Sequence, residues 1–269
     1  EIKTLLKFNS FFNELQKNGE LENISIKKKI SIINKVRKGK LKIITPLCPD
    51  YEHVNIAFGL YKYTFNKLNE DLGLIGKRLI KIIDKIHKTL EKYQIDFEHE
   101  LYYGDFEAYS KDILKRTNEN EESFITKVNN SSKKMNKVVG NKVKAFLIVK
   151  KLSSKTKFKE LCKQNTKKIK NRMKLDIGLR RQITEITASR SALYSSWFPH
   201  FKEKDYEELL INQGAEYLAM GKIFNNEFKN FFILGLDHPK MGFFYNLFDD
   251  IISIYGKPKY AWYYQNAEK

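Results

Sequence analysis

Apolar residues recur at helical spacing along much of the chain, and these long helical patterns alternate with short apolar runs. The clearest helix is predicted at residues 72–93, where Leu79, Ile83, Ile86 and Leu90 recur at three- and four-residue steps, with lysines on the other faces. Residues 24–36 mix apolar and basic positions. Further helices are predicted at residues 8–19, 158–173, 177–197 and 206–228, and a short one at 242–248.

Four short apolar runs have the character of buried strands, and they are predicted at residues 41–47, 97–103, 231–236 and 251–255. Residues 145–149 fit either a short strand or the apolar side of a helix, because so short a run has no decisive period. The tail after residue 257 reads as irregular. Strands that alternate with long helices predict an α/β fold, Rossmann-like, with a mostly parallel sheet and helices on both faces. We expect residues 1–269 to form a single domain.

Three turns follow the predicted strands, and sheets of this kind bind ligands beyond the carboxyl ends of their strands. The first turn offers a thiol and a carboxylate, the second two carboxylates, and the third a carboxylate beside a histidine. In that order the candidates are Cys48, Asp50 and Tyr51; Asp105 and Glu107; and Asp237 and His238.

Each turn also has a purely structural interpretation. Cys48 is a nucleophile if a nearby cation or helix N-terminus lowers its pKa, and otherwise a small buried residue. Asp50 is a ligand or a cap. In an extended chain Asp105 and Glu107 face the same side, where they could hold Mg²⁺, hydroxyl groups or an amine, although aspartate also caps helices. His238 suits acid–base chemistry or a structural turn.

Two helical segments could face the same crevice. Arg190 and Tyr194 share one helix face, and the small residues around Arg190 suit a buried anion contact. Glu216 and Tyr217 lie between two helical glycines, which cost helix stability unless close packing or a ligand requires them. Tyr245 follows the third turn and could enter the same site.

The positive charge of the chain is concentrated in one segment. Residues 127–174 contain 17 Lys and Arg residues and a single acid, Glu160, and so hold +16 of the net +18. Such a cluster usually has a polyanionic partner, here a nucleic acid such as RNA, although an acidic membrane surface, an acidic protein or a solvated mobile loop are alternatives. The residues expected to contact nucleic acid are Lys133, Lys134, Lys137, Lys142, Lys144, Lys163, Lys167, Lys168, Lys170 and Arg172.

Several functional classes lack their signatures. No apolar run is long enough to span a membrane, and two cysteines do not make a disulfide scaffold, so we expect a cytoplasmic protein without a membrane partner. Phosphate-loop, dinucleotide-binding and zinc motifs are absent from the sequence, and we therefore expect no metal or other cofactor.

The order of elements resembles the Rossmann-type domain of tRNA-dependent cyclodipeptide synthases, which is similar to the catalytic domain of class I aminoacyl-tRNA synthetases. The resemblance lies in the topology and in residues 216–224 followed by a strand and Phe244-Tyr245. It implies that Tyr217 and Tyr245 contact an aminoacyl group. The family's nucleophilic serine is replaced by Cys48, and its glutamate four residues after the helix tyrosine would fall at Gly221.

The sequence thus predicts a transferase that acts on an amino-acid-derived substrate, most specifically aminoacyl-tRNA, with peptide-bond-forming chemistry. Cys48 or a substrate amine would be the nucleophile, Glu216 and His238 would move protons, and the basic segment would bind the tRNA backbone. Two alternatives remain: a non-catalytic RNA-binding module, and a small-molecule enzyme of the same fold that resembles isocyanide synthases.

Overall fold

The computed structural model describes residues 2–36, 40–49, 51–57, 60–70, 72, 74–140, 143–194, 198, 200–235, 244–245, 247, 251–255 and 265–266. The helices in these ranges are α1 Ile2–Lys17, α2 Ile26–Val36, α3 Leu74–Lys92, α4 Lys111–Thr117, α5 Glu121–Val139, α6 Ile148–Leu152, α7 Lys155–Leu175, α8 Ile177–Tyr194 and α9 Glu203–Glu227, with a 3-10 helix, η1, at Asp105–Tyr109. The strands are β1 Leu41–Leu47, β2 Tyr51–Ala57, β3 Leu60–Leu68, β4 Phe97–Tyr103, β5 Val143–Leu147, β6 Phe231–Gly235, β7 Ser253–Tyr255 and β8 Gln265–Asn266.

A five-stranded parallel sheet forms the centre of the fold, in the order β5-β4-β1-β6-β7. The first strand is the middle one: the chain extends the sheet through β4 and β5 on one side, and then returns to add β6 and β7 on the other. The strand order therefore reverses at β1, which is where such sheets bind ligands. The predicted Rossmann-like α/β class is confirmed.

Alternate residues of the strands bury two different helix layers, as the twofold period of a strand requires. Leu41, Ile43 and Leu47 of β1 pack into one core with α1, α3 and α5. Ile44, between them, faces the opposite core, which includes residues of α6, α7 and α9. A smaller third cluster joins α7, α8 and α9, with Ile183 and Leu218 among its buried residues.

A chain of buried polar groups crosses the first core beneath β1. The Thr45 hydroxyl lies 2.8 Å from His99 Nε2, and His99 Nδ1 lies 2.9 Å from His87 Nε2. All three side chains are buried. Burial, and secondarily the neighbouring His87, hold the pKa of His99 well below its usual value, so this imidazole is neutral at physiological pH.

Most predicted elements are present with shifted ends. The predicted helix at 72–93 is observed as α3, and those at 158–173, 177–197 and 206–228 as α7, α8 and α9. The ambiguous run at 145–149 is divided between β5 and α6. Of the predicted short helix at 242–248, only Phe244, Tyr245 and Leu247 lie among the described residues.

A second sheet was not predicted. Strands β2 and β3 form an antiparallel hairpin directly after β1, and β8 pairs with β3 to complete a three-stranded sheet. The expectation of an irregular tail after residue 257 is therefore wrong for Gln265 and Asn266. In the described part of the chain, none of the helices is both long and apolar enough to cross a membrane.

The basic segment has regular structure. Residues 127–174 contain most of α5, then β5, α6 and nearly all of α7, with residues 141–142 outside the described ranges. Helix α5 begins at a cap in which the Asn120 side chain accepts from the Ser123 amide, and α7 begins where the Ser154 hydroxyl accepts from the Lys157 amide. The interpretation of this segment as a mobile loop is wrong.

Candidate active site

The carboxyl ends of β1 and β4 meet at the centre of the sheet. The Gly104 amide donates to the Leu47 carbonyl at 2.8 Å, which fixes the residues after β4 beside those after β1. A Cβ on Gly104 would come within 3.0 Å of the Phe106 ring, so the small residue permits the tight turn into η1. This contact brings Glu107 to the side of Cys48 and Tyr51.

The two carboxylates of the second turn point to different places. Because residues 105–109 form a 3-10 helix, residues two positions apart project in different directions, and the expectation that both carboxylates face one side is wrong. Asp105 is buried and accepts hydrogen bonds from the amides of Val149 (2.8 Å) and Lys150 (3.0 Å), so it caps α6. Glu107 alone faces Tyr51.

Glu107 is held by two donors from the first turn. The buried Tyr51 hydroxyl donates a short hydrogen bond to Glu107 Oε2, and the Cys48 thiol donates to the same carboxyl group. Burial raises the pKa of Glu107 to about 7 in spite of these two bonds, which favour the charged form. Burial, followed by the charge of Glu107, places the pKa of Tyr51 well above 10.

A second carboxyl group reaches this place from α9. Burial, and secondarily the charge of Glu107, raise the pKa of Glu216 to about 8. Part of each glutamate surface remains accessible to solvent, but the surrounding protein removes enough water to penalise ionisation. Cys162 of α7 is close enough to Glu216 to interact with it. Burial, and secondarily the charge of Glu216, raise the pKa of the Cys162 thiol. We call Cys48, Tyr51, Glu107, Cys162 and Glu216 the carboxylate site.

The carboxylate site can hold an acid and a base at the same time. Because Glu216 has the higher pKa of the two coupled groups, it holds its proton more strongly, and Glu107 ionises first as the pH rises. Pairs of carboxyl groups whose environments separate their pKa values are one established arrangement for acid–base catalysis near neutral pH.

Two tyrosines lie next to the carboxylate site. The rings of Tyr217 and Tyr245 have centroids 4.9 Å apart and are inclined at 51°. Both helical glycines of α9 serve close packing: a Cβ on Gly214 would overlap the Phe244 ring, and one on Gly221 would lie 2.7 Å from Ile251 Cδ1 and 3.3 Å from Tyr245 Cδ1. Gly221 therefore lets Tyr245 approach the helix beside Tyr217.

The structure brings together six of the candidates from four separate parts of the sequence: Cys48, Tyr51 and Glu107 with Glu216, and Tyr217 beside Tyr245. Arg190 and Tyr194 belong to α8 in their backbone, but their side chains lie outside the description. Asp50, Asp237 and His238 also lie outside the described residues. Cys162 was missed, because its distance in sequence from Cys48 matches no motif and its position in a basic helix suggests no chemistry.

The basic candidates are distributed over several elements. Lys133, Lys134 and Lys137 lie in the last turns of α5 and Lys144 in β5, whereas Lys142 lies outside the described residues. The candidates on α7 are all exposed, and they are Lys163, Lys167, Lys168, Lys170 and Arg172. Two of them contact other residues of the protein: Lys170 forms an ion pair with Glu208 at 3.1 Å, and Arg172 donates hydrogen bonds to Asp176 and to the Leu247 carbonyl.

The described residues contain no group of three or more His, Cys, Asp and Glu side chains arranged to hold a metal ion. Glu107 and Glu216 supply two carboxyl groups rather than three ligands, and Glu107 already accepts hydrogen bonds from Tyr51 and Cys48.

Comparison with known proteins identifies a likeness in structure. No protein-family model matches the chain, and no curated protein matches it. A solved structure does: PvcA from Pseudomonas aeruginosa superposes with a TM-score of 0.52 at 12% sequence identity, over 86% of this chain and 72% of the PvcA chain. The chain shares the fold of PvcA. At this identity the likeness to PvcA concerns the α/β architecture of nearly the whole chain, and it does not extend to individual residues.

Proposed function

We propose that this protein is an enzyme that modifies a small amino-acid-derived substrate by acid–base catalysis at Glu107 and Glu216. The observation that carries the proposal is the pair of coupled carboxyl groups, with pKa values raised to about 7 and about 8, at the point where the strand order reverses. Isocyanide-synthase-like chemistry, which starts from an amino acid in a Rossmann-like domain, belongs to this class.

The proposed mechanism gives the two glutamates different roles. Ionised Glu107 attracts the ammonium group of the substrate and accepts one of its protons, which frees the nitrogen lone pair for reaction. Protonated Glu216 donates to an oxygen that gains negative charge as the reaction proceeds. Tyr51 orients Glu107 through its hydrogen bond, while Tyr217 and Tyr245 form an aromatic wall beside the reacting group.

Cys48 gives the proposal a second possible nucleophile. Its thiol donates to Glu107, so the ionised carboxylate could remove the thiol proton. Within the described residues neither Cys48 nor Cys162 forms a disulfide, which suits a reducing compartment such as the cytoplasm. Cys48→Ala separates the two routes, because attack by the substrate amine does not need the sulfur.

The test is binding of free L-amino acids, measured by calorimetry, together with mass spectrometry of small molecules that copurify with the protein. We expect at least one amino acid to bind, with affinity that rises as the pH increases through 7 and Glu107 ionises. Glu107→Gln should weaken that binding tenfold or more. Glu216→Gln should leave binding largely intact and abolish turnover of the copurifying substrate.

The matched control is Glu208→Gln, the same substitution on the exposed side of the same helix. It should leave both binding and turnover unchanged. The proposal is wrong if no amino acid binds to the wild-type protein between pH 7 and 9, or if Glu107→Gln binds amino acids as tightly as the wild type.

A second candidate function is supported by the exposed lysines of α7. The substrate would then be aminoacyl-tRNA, with the tRNA phosphates bound by Lys163, Lys167 and Lys168. The aminoacyl ester bond to the ribose oxygen would break and a thioester to Cys48 would form. Glu107 would take the thiol proton, and Glu216 would protonate the departing ribose oxygen.

Nuclease-treated protein tests this candidate in a mobility-shift assay with total tRNA. If tRNA is the partner, binding should weaken steeply with salt, and the triple variant Lys163→Gln, Lys167→Gln, Lys168→Gln should reduce the slope of log affinity against log salt by about 2 to 3. The control triple variant carries Lys3→Gln, Lys17→Gln and Lys27→Gln, three exposed lysines of α1 and α2. Absence of tRNA binding at low salt excludes this candidate.

A further inference from the structure

Two buried oxygen atoms in the helical layer beside the carboxylate site have no hydrogen-bond partner within the described residues. They are Gln213 Oε1 on α9 and Thr187 Oγ1 on α8. Helices α8 and α9 pack against each other, and Ile183, Ile186 and Leu210 belong to their shared apolar cluster. Both atoms are therefore withdrawn from water, and the apolar residues that the two helices share offer them no hydrogen bond.

Gln213 has the same orientation on α9 as the site residues. Glu216 and Tyr217 follow it by three and four positions, so the three side chains lie on one face of the helix, with Gln213 one turn closer to the N-terminus. Met220 continues the same face and is buried. The amide of Gln213 is thus the next polar group along the face that presents Glu216 to Glu107.

Thr187 differs from its neighbours on α8. The Thr184 hydroxyl donates to the Arg180 carbonyl at 3.0 Å, and the Ser191 hydroxyl donates to the Ala188 carbonyl at 2.9 Å. Thr187 makes no such bond to its own helix, although its side chain is 2% exposed. If the Thr187 hydroxyl required only a hydrogen-bond acceptor, a backbone carbonyl one turn earlier in its own helix would be available, as it is for Thr184.

Buried polar atoms in native proteins are nearly always hydrogen-bonded, and one left without a partner lowers stability. From the two oxygens, their burial and the position of Gln213 beside Glu216, we infer that Thr187 and Gln213 form a polar subsite. This subsite accepts a hydrogen-bond donor on the side chain of the substrate. The inference rests on the proposed function and adds a specificity determinant to it: the carboxylate site takes the amino group, and the subsite selects substrates with a second donor.

The first test measures the stability of the ligand-free protein. Thr187→Val and Gln213→Met replace each polar group with an apolar one of similar shape. If the oxygens are kept for a ligand, removing them should leave the melting temperature unchanged or raise it. A fall of 5 °C or more in either variant would show that the side chain serves the fold, and would overturn the inference.

The second test measures binding of amino acids in matched pairs that differ by one donor: serine and alanine, tyrosine and phenylalanine, ornithine and norvaline. We expect the wild type to prefer the donor-bearing member of the pair that binds best by at least fivefold, and both variants to lose that preference. The controls Thr184→Val and Gln182→Met, at exposed positions of α8, should keep it.

The outcomes separate this inference from the proposed function. If amino acids bind in a Glu107-dependent manner but the wild type shows no preference within any pair, the subsite is refuted and the proposed function stands. If the variants retain the wild-type preference, the subsite is again refuted. If no amino acid binds at all, both the function and the subsite are wrong.

Discussion

Two buried side chains of the carboxylate site make the stability of the protein depend on pH. Glu107 and Glu216 keep their protons in the folded protein at a pH where the unfolded chain has released them. When folding raises the pKa of a carboxyl group, the group's contribution to the free energy of unfolding is largest below about pH 4.5, where it is protonated in both states. That contribution is lost as the pH rises through the folded-state pKa. The free energy of unfolding of the wild-type protein should therefore decrease progressively between about pH 4.5 and 8.

Glu216→Gln removes this penalty, because glutamine has a similar shape and no charge to bury. We expect equal stability of variant and wild type near pH 4.5 and a variant more stable by about 1–2 kcal/mol near pH 8.5, since part of the side chain stays in water. Urea denaturation at a series of pH values measures the difference. A variant that is less stable than the wild type at pH 8.5 would contradict the burial of Glu216.

His99 has the opposite dependence on pH. Its folded-state pKa is lowered, so the unfolded chain binds the proton more readily below about pH 6.5 and the neutral buried form loses its advantage as the pH falls. The stability of wild type relative to His99→Gln should decrease by up to about 1.4 kcal/mol per pH unit from pH 6.5 to 5. Gln182→Met, at an exposed position of α8, removes no ionisable group and is the control, which should give a constant difference.

At the residue scale, Cys48, Tyr51 and Glu107 were predicted from the rule that ligands bind at the ends of strands. Glu216 was predicted because a glutamate stands there among small and apolar residues. Which partner each would meet did not follow from sequence. The orientation of Asp105 depends on the 3-10 geometry of η1, which no periodicity predicts over five residues, and the proximity of Cys162 depends on how α7 packs against α9.

Among the secondary-structure elements, the short helix α6 depends on a residue far away in sequence. Asp105 accepts from two amides at the N-terminus of α6, so Asp105→Ala would leave the buried Val149 amide and the part-buried Lys150 amide without this acceptor. We expect a loss of about 1–3 kcal/mol in the free energy of unfolding, measured by urea denaturation. Asp105→Asn, which keeps an acceptor, should lose less, and equal stability of the alanine variant would disprove the cap.

Helix α9 contains glycines at interior positions, where alanine would give the helix a higher intrinsic stability. Gly221→Ala should cost about 1–3 kcal/mol of stability, because overlap with Ile251 and Tyr245 outweighs the gain in helix propensity of about 1 kcal/mol. The control is Gly178→Ala at an exposed position of α8, which should be neutral or slightly stabilising. Thermal unfolding compares the two, and a stabilised Gly221→Ala variant would refute the close approach of Tyr245.

Long helices were predictable because their period repeats over enough residues, whereas the parallel strands were predictable as short apolar runs bounded by turn residues. The hairpin was overlooked although its pattern is present: Tyr61, Tyr63 and Phe65 alternate with polar residues, as in a strand with two different faces. The pairing of β8 with β3 is different, because a strand of two residues has no period and its partner lies about two hundred positions earlier.

For the molecule as a whole, the concentrated positive charge has a consequence for stability. Like charges spaced four apart on α7, such as Lys163 and Lys167, repel each other, and salt screens them with a Debye length of about 10 Å at 0.1 M. The melting temperature should rise by several degrees between 20 and 300 mM salt. Lys163→Gln, Lys167→Gln and Lys168→Gln together should reduce that rise, and an unchanged rise would contradict repulsion on α7.

The central position of β1 has a consequence for how the protein is made. During synthesis β1 can pair with β4 once Phe97–Tyr103 has emerged, but its other edge has no partner until β6, at Phe231–Gly235, has been translated. While the residues between β4 and β6 are being made, the nascent chain therefore carries an open strand edge, the kind of surface on which chains associate wrongly. We expect newly made chains to need shielding at this edge until β6 has emerged.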